Sequence, residues 1–166
     1  MTASGSAPPF VPGDFAVPGE LVTEKFRLEP LGPQHNAADY DAWTSSMEHI
    51  RATPGMVDDS WPREMTLEEN RGDLERHARD FAGRTGFTYT VLDPAGRVVG
   101  CVYIYPTKDR AAGVADVESW VRADRAELDV PLYAAVSAWL ADTWPFAEVR
   151  YAPRAGGGGG TAEPGT

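Results

Sequence analysis

The chain has a single cysteine, Cys101, among its 166 residues, which excludes an internal disulfide and a zinc site built from cysteines. Basic residues are also scarce, because 15 Lys and Arg stand against 25 Asp and Glu and give a formal net charge of −10. Nucleic acids and anionic membranes attract clustered Lys and Arg, so the acidic balance argues against both as partners and mildly favours an amine substrate. Cys101 lies in a strand-like run, and we expect it to be a buried core thiol.

Long apolar runs are missing as well. No segment approaches the roughly 18 apolar residues that a membrane span needs, and no basic region followed by an apolar block opens the chain. We therefore expect a cytoplasmic protein. The three histidines, His35, His49 and His77, show no metal-ligand spacing, so no metal site is predicted. His77 falls beside the apolar face of a predicted helix and is expected to be a partly buried structural residue.

The composition divides the chain into one domain with a flexible segment at each end. Residues 1–20 are rich in Pro, Gly, Ala and Ser and predict a flexible arm, whose second half carries apolar residues able to dock on the body. Residues 152–166 contain five consecutive glycines and predict a disordered tail. The domain itself is placed at residues 21–151, a length that suits one hydrophobic core.

Alternating apolar residues predict the strands, which lie within Leu21–Leu31, a hairpin at Gly86–Pro106, Ala115–Val121 and Pro145–Tyr151. Apolar residues at helical spacing predict the helices, which cover Gln34–Met47, a segment that begins at Thr66, and Pro131–Trp144. Thr66 and Glu69 have the spacing of a capping box. Between the first two predicted helices, the segment Glu48–Glu64 is irregular because prolines and a glycine interrupt it. This segment is either the wall of a binding pocket or a plain loop.

The strand Ala115–Val121 and the helix Pro131–Trp144, joined by a short link, resemble the core of the GNAT superfamily, the acyl-CoA-dependent N-acyltransferases. The sequence FRLEPL (Phe26–Leu31) is similar to the first strand of that family. The resemblance implies an α/β (α+β) fold with a mixed, mostly antiparallel central sheet of about five strands flanked by helices. It covers Val22–Tyr151, so the family's usual fourth helix and last two strands are expected to be lacking.

The link between that strand and helix resembles the family's coenzyme A loop only in part. GNAT proteins carry Arg/Gln-x-x-Gly-x-Gly/Ala there, and on this chain Arg125 takes the first position while Leu128 and Val130 replace the glycines. Glycine lets backbone approach the pyrophosphate closely, and Asp129 and Glu127 add negative charge beside it. The resemblance still implies acetyl-CoA as co-substrate, and the residues that it assigns to cofactor binding are Trp120, Val121, Arg122, Arg125, Leu128 and Val130.

Acyl transfer to an amine needs a base, and the resemblance implies a carboxylate on the strand before the link. Asp116 and Glu118 point to one face of that strand, so either is a candidate base, unless both are simply solvated. Tyr105 is a candidate acid, because the tyrosine that the family often uses lies in the helix that is expected to be lacking. The aromatic residues predicted to line an acceptor pocket, with core packing as the alternative, are Trp61, Tyr89 and Tyr103.

Two functions follow from these residues. The first is an acyl-CoA-dependent N-acyltransferase that transfers an acetyl group to a small amine. The alternative is a catalytically inactive GNAT-like binding or structural module, because both loop glycines and the last elements of the family are absent. Strand Pro145–Tyr151 would form an open sheet edge, so we expect a homodimer, or the N-terminal arm, to cover it.

Overall fold

The computed structural model describes residues 8–56 and 60–154. The strands of its sheet are β1 Leu21–Val22, β2 Arg27–Pro30, β3 Phe87–Leu92, β4 Val98–Pro106, β5 Val114–Val121 and β6 Glu148–Tyr151. They form one six-stranded sheet in which the order in space is the order along the chain. The first five strands pair antiparallel, and β6 pairs parallel with β5 because a helical crossover carries the chain back between them.

The helices cover both faces of this sheet. They are α1 Asn36–Thr44, α2 Met47–Arg51, α3 Leu67–Ala82 and α4 Asp129–Thr143, with short 3-10 helices at Pro33–His35 and Ala123–Leu128. The predicted capping box opens α3, since the Thr66 amide donates to Glu69 Oε1 at 2.8 Å and the Glu69 amide donates to Thr66 Oγ1 at 3.0 Å. Within the described residues, no helix is long and apolar enough to cross a membrane.

Strand alternation separates two cores, one on each face of the sheet. On one face, Val117 and Val121 of β5 pack with Leu132 and Val136 of α4. On the other face, the core lies under α1 and α3 and contains Trp43, Leu74, Cys101 and Trp120. The prediction of a buried thiol at Cys101 is confirmed, and this burial raises the pKa of the thiol.

The sheet has six strands where about five were predicted, because Leu21–Leu31 is a hairpin and not a single strand. The side chain of Thr23 closes its turn, accepting from the Phe26 amide at 3.2 Å, while the Thr23 amide donates to the Phe26 carbonyl at 2.9 Å. Leu21 then pairs with Leu28. The predicted mixed, mostly antiparallel sheet flanked by helices is otherwise confirmed.

Two predicted helices have different bounds in the structure. The helix expected over Gln34–Met47 is interrupted after Thr44, where the Ser46 amide donates to the Trp43 carbonyl at 3.0 Å, and α2 starts at Met47. The helix expected from Pro131 begins at Asp129, directly after the 3-10 helix of the link. Asp129 is therefore the first helical residue, and its carboxylate accepts from a side chain, as described below.

The close approach of β4 to β5 depends on Gly100. This residue lies opposite Val121, and a Cβ built on it would stand 2.5 Å from the carbonyl oxygen of Trp120. No real Cβ tolerates that distance, so any larger residue would push the strands apart. The position of β5, which carries the candidate base, is set in this way.

The described part of the predicted N-terminal arm packs against the domain. The ring of Phe10 stacks on Phe87 with centroids 5.9 Å apart, and Val11 is 2% exposed. The Tyr89 hydroxyl donates to the Pro18 carbonyl at 2.6 Å. These contacts lie on the α4 face of the sheet and not along the outer edge of β6. The remainder of the predicted arm and tail, residues 1–7 and 155–166, lies outside the described residues.

Candidate functional site

A cavity of about 380 Å³ lies between the sheet and helices α1 and α3. Its lining residues include Asp39, Met56, Trp61, His77, Tyr103 and Glu118. Three of the predicted site residues, Trp61, Tyr103 and Glu118, are thus brought together. The irregular segment contributes Met56 and Trp61, so it forms part of the cavity wall.

Only one of the two candidate bases on β5 lines the cavity. Asp116 and Glu118 share the face towards α1 and α3, but only Glu118 reaches the cavity. Asp116 is exposed and lines a second pocket together with Tyr105 and Lys108. The predicted acid Tyr105 and the predicted base Asp116 therefore line one pocket, and the other predicted base, Glu118, lines the cavity.

Tyr105 hydrogen-bonds within the protein and supports His77. Its hydroxyl donates to Asp80 Oδ2 at 2.8 Å and lies 3.0 Å from His77 Nδ1, and the Thr88 hydroxyl lies 3.0 Å from the same nitrogen. Burial lowers the pKa of His77 to about 4, so the imidazole is neutral near pH 7. Burial also raises the pKa of Tyr105 above its usual range.

His77 thus presents a neutral, anchored imidazole to the cavity. Sequence reasoning placed it beside the apolar face of α3 and assigned it only a structural role.

Asp39 is a second cavity residue that sequence reasoning missed. Its side chain lies on α1, the residue is 4% exposed, and Oδ2 accepts from Asn70 Nδ2 at 3.2 Å. Burial raises the pKa of this carboxyl group to about 6. In the sequence, Asp39 stands between Ala38 and Tyr40 with no motif around it, so its depth in the fold is the only sign of a role.

The raised pKa of Asp39 makes stability depend on pH with a defined sign. The folded state holds this proton up to about pH 6, whereas the unfolded state releases it near 3.8, so the contribution of Asp39 to stability falls as pH rises through that interval. Asp39→Asn removes the effect. Relative to wild type, its free energy of unfolding should rise by about 3 kcal/mol between about pH 3 and pH 7, as measured by urea unfolding.

His77→Gln provides the matched comparison, because the pKa of His77 is lowered instead of raised. The unfolded state takes up this proton below about pH 6.5 while the folded state does not, so wild type loses stability as pH falls. Relative to wild type, His77→Gln should therefore lose stability as pH rises from about 4 to 6.5. Slopes of the same sign for the two variants would contradict one of the two assignments.

Beyond the cavity, β5 and β6 separate. Their parallel pairing ends at Val117 and Tyr151, whereas β5 continues to Val121. From Ser119 onward, the backbone edge of β5 on that side is free of strand pairing, and the resemblance places the pantetheine arm of coenzyme A at this edge. Trp120 and Val121 are fully buried, so at such a site they can offer only backbone groups.

The remaining predicted cofactor residues are engaged within the protein. Leu128 is 5% exposed and belongs to the core with α4, and Val130 is half-buried in the first turn of that helix. The guanidinium groups of Arg122 and Arg125 both form ion pairs of 2.8–3.1 Å. Their partners are Asp41 and Asp124 for Arg122, and Asp93 and Glu127 for Arg125.

These residues fit one end of coenzyme A better than the other. The free edge of β5 from Ser119 fits the amides of the arm, which need backbone partners. The link does not offer the open glycine amides that a diphosphate takes, and Asp129 places a carboxylate at the start of α4, 2.8 Å from Arg154 Nε. Ser119 to Arg122 are therefore the residues that would hold the arm, provided that Arg154 moves away. In the described part of the chain, no group of His, Cys, Asp and Glu is placed to hold a metal.

Tyr89 lies apart from the other predicted substrate residues. Its ring is fully buried in the core beneath α4, against Trp139 with centroids 5.1 Å apart, and burial raises the pKa of its hydroxyl. On the other side of the sheet, the ring of Trp61 lies 6.2 Å from that of Trp120. Tyr103 accepts from the Trp120 indole at 2.8 Å. Of the three aromatic residues predicted to line an acceptor pocket, Trp61 and Tyr103 thus line the cavity.

No protein-family model matches the chain, and neither does any curated protein. Solved structures do match. The ribosomal-protein-S5-alanine acetyltransferase from Vibrio fischeri is 12% identical with a TM-score of 0.58, over 73% of this chain and 66% of its own. RimL, the ribosomal L7/L12 alpha-N-protein acetyltransferase in complex with coenzyme A, is 12% identical with a TM-score of 0.59, over 73% and 64%. The microcin C7 self-immunity acetyltransferase MccE, in complex with acetyl-CoA and AMP, is 11% identical with a TM-score of 0.60, over 78% and 71%.

The chain spans a little less than two thirds of the length of the first two of these structures. At such low identity, the likeness concerns the fold. The mixed sheet, the separation of β5 from β6 and these likenesses agree with each other. The chain has the fold of the GNAT superfamily.

Proposed function

We propose that the protein is an acyl-CoA-dependent N-acyltransferase that transfers an acetyl group to an amine bound in the cavity. The observation that carries this proposal is the position of Glu118, which lines the cavity and stands directly before the free edge of β5. An acceptor in the cavity and an arm on that edge would thus meet on one strand. Similar structures in complex with coenzyme A and with acetyl-CoA support the choice of co-substrate.

The charges of the cavity favour a cationic acceptor. Its wall contains the carboxyl groups of Asp39, Asp73 and Glu118 against the guanidinium groups of Arg63 and Arg76. An excess of carboxylates attracts an ammonium group, and aromatic rings beside it add apolar contact and cation–π attraction. The acceptor that fits is a small amine with an apolar portion.

The chain's own residues have three tasks in such a transfer. Acyl-CoA supplies the acyl group as an activated thioester. Glu118 takes the proton from the ammonium group so that the free amine can attack the thioester carbonyl. The C–S bond then breaks, and the second proton that the nitrogen loses neutralises the leaving thiolate. His77 is the weaker candidate for this task, because it lies on α3 and not on the strand whose free edge would hold the arm. His77 and Tyr103 instead orient the acceptor, and the walls around them exclude water.

Glu118→Gln tests this assignment. We expect kcat/KM to fall about 100-fold, because the amide cannot take a proton, while the thermal midpoint changes little. The measurement is thiol release from acetyl-CoA with a panel of primary amines, including peptides with a free N-terminal amine. Asp116→Asn is the matched control on the same strand outside the cavity and should keep its activity. An unchanged rate in Glu118→Gln would remove the base from this proposal.

The second candidate function is a GNAT-fold binding module without transfer activity. It is favoured by the link, where Leu128 is buried in place of a loop glycine, and by the contact between Asp129 and Arg154. Melting with acetyl-CoA separates the two functions, because a ligand at 100 times its Kd stabilises the fold by about 2.7 kcal/mol. No shift of the melting temperature, together with no thiol release, would favour the module. The homodimer and the cytoplasmic location remain predictions from the sequence.

A further inference from the structure

The guanidinium group of Arg154 occupies the place where β5 and β6 separate. The side chain is 2% exposed, and Nε donates to Asp129 Oδ2 at 2.8 Å. Nη2 donates to the carbonyl and the hydroxyl of Ser119 at 2.9 and 3.2 Å. Nη1 donates to the carbonyls of Pro54 and Ala152 at 3.1 and 2.9 Å. Five N–H donors therefore meet five acceptor contacts, which is the full capacity of this side chain.

Aromatic rings enclose the same guanidinium group. Its central carbon lies 5.9 Å from the ring of Tyr133 and 5.7 Å from that of Tyr151. The Tyr151 hydroxyl lies 2.6 Å from Ser119 Oγ. Arg154 is thus held by charge, hydrogen bonds and ring contacts together, as a bound ligand would be.

The two ends of this contact are the two ends of the proposed acyl-CoA site. The Ser119 carbonyl belongs to the backbone edge of β5 that is free of β6, where the arm would bind. Asp129 opens α4, the helix start that the resemblance assigns to the diphosphate, and here its carboxylate is paired with Arg154 instead. A single side chain of the protein contacts both positions, so it would compete there with an acyl-CoA.

We infer that residues 152–154 act as an internal competitor for the co-substrate, with Arg154 as the latch that acyl-CoA must displace. This inference rests on the proposed function. The affinity for coenzyme A is then reduced by the fraction of molecules in which the latch is closed. Release of the latch should increase that affinity without any new contact to the ligand.

The latch also contacts the loop that forms the cavity wall. Pro54, whose carbonyl accepts from Arg154, stands two residues before Met56 of the cavity. Gly55 between them has a φ of +87°, and a Cβ built on it would lie 3.0 Å from Cβ of Ala152. Displacement of residues 152–154 therefore frees this loop, so co-substrate binding and the acceptor cavity are coupled.

The first test measures the affinity of coenzyme A by calorimetry in wild type and in the double variant Arg154→Gln/Asp129→Asn. Both partners are changed because removal of the arginine alone would leave an unpaired carboxylate at the start of α4, which would repel a diphosphate. The expected result is at least about tenfold tighter binding by the double variant. Arg150→Gln is the matched control: it removes an arginine of β6 that pairs with Glu148 at the surface, and its affinity should equal that of wild type.

The second test needs no variant. Trypsin cleaves after an arginine only when the side chain can enter its pocket, so cleavage after the buried Arg154 should be slow in the free protein. Saturating coenzyme A should accelerate that cleavage at least about tenfold if it displaces the latch. Cleavage after the exposed Arg110, in the loop between β4 and β5, serves as the internal reference and should not change.

The outcomes separate the two proposals. If coenzyme A binds wild type and the double variant equally, and cleavage after Arg154 stays slow in its presence, the latch is overturned and the proposed function stands. If coenzyme A binds neither protein, the proposed function fails and the latch with it. If the double variant does not fold by circular dichroism, the acceleration of cleavage in wild type decides alone.

Discussion

Asn70→Ala is expected to lower the free energy of unfolding by about 3–5 kcal/mol, although the residue belongs to no sequence motif. Asn70 is 2% exposed, and its amide oxygen accepts from the Trp43 indole at 3.0 Å. Its amide nitrogen donates to Asn36 Oδ1 at 2.8 Å and to Asp39 Oδ2 at 3.2 Å. Truncation leaves an indole N–H and a buried carboxyl group without a partner, and each unsatisfied group costs about 1–3 kcal/mol.

The measurement is urea unfolding followed by tryptophan fluorescence at about pH 7. Asn36→Ala is the matched control, because it removes one partner of the same amide at a half-buried position and should cost about 1 kcal/mol. Asn70→Ala combined with Asp39→Ala should cost less than the sum of the single changes, since the second change removes the carboxylate that the first one leaves unpaired. A loss below about 1 kcal/mol in Asn70→Ala would show that water satisfies these groups.

Those parts of the fold that depend on neighbouring residues could be predicted from the sequence. The turn at Asp93–Gly96 is an example, because Asp93 Oδ1 accepts from the amides of Ala95 and Arg97 at 3.0 and 2.9 Å. The capping box before α3 is another, since both of its hydrogen bonds join residues three apart. Such contacts form within a short segment, so the residue types and the spacing that produce them can be read from the amino-acid sequence.

The parts of the candidate site that depend on contacts between distant segments could not be predicted. A period of two places Asp116 and Glu118 on one face, but only the path of α3 decides which of them faces the cavity. Asp39 carries no motif, and its role follows from burial against Asn70, which is 31 residues away. Arg154 stands in a segment whose composition predicts a disordered tail, and its partner Ser119 is 35 residues away.

The single-strand prediction for Leu21–Leu31 failed for a different reason. The alternation of Phe26 and Leu28 is correct, but one threonine side chain closes a turn that has no glycine or proline to announce it. The same limit applies to Tyr89. Its strand was predicted, yet the face it occupies is set by pairing with Val102 of β4, so a tyrosine expected in the acceptor pocket lies in the opposite core.

Trp120→Ala is the second change with a large expected effect, a loss of about 3–5 kcal/mol of unfolding free energy. The residue is fully buried on β5, its indole donates to Tyr103 Oη at 2.8 Å, and its ring lies 6.2 Å from that of Trp61. Truncation leaves a void in the core under α1 and α3 and leaves the Tyr103 hydroxyl without its donor.

Two controls separate packing from ligand binding at Trp120. Trp61→Ala changes a less buried ring in the same cluster and should cost less stability, about 1–2 kcal/mol. Trp120→Phe keeps most of the ring volume and should cost about 1–3 kcal/mol for the lost hydrogen bond. The sequence placed Trp120 among the cofactor residues, and in the structure its side chain is enclosed by the core, so only its backbone can meet a ligand. If the free energy of unfolding of Trp120→Ala in urea lies within about 1 kcal/mol of the wild-type value while the variant loses affinity for coenzyme A, the side chain faces the ligand and the packing explanation is wrong.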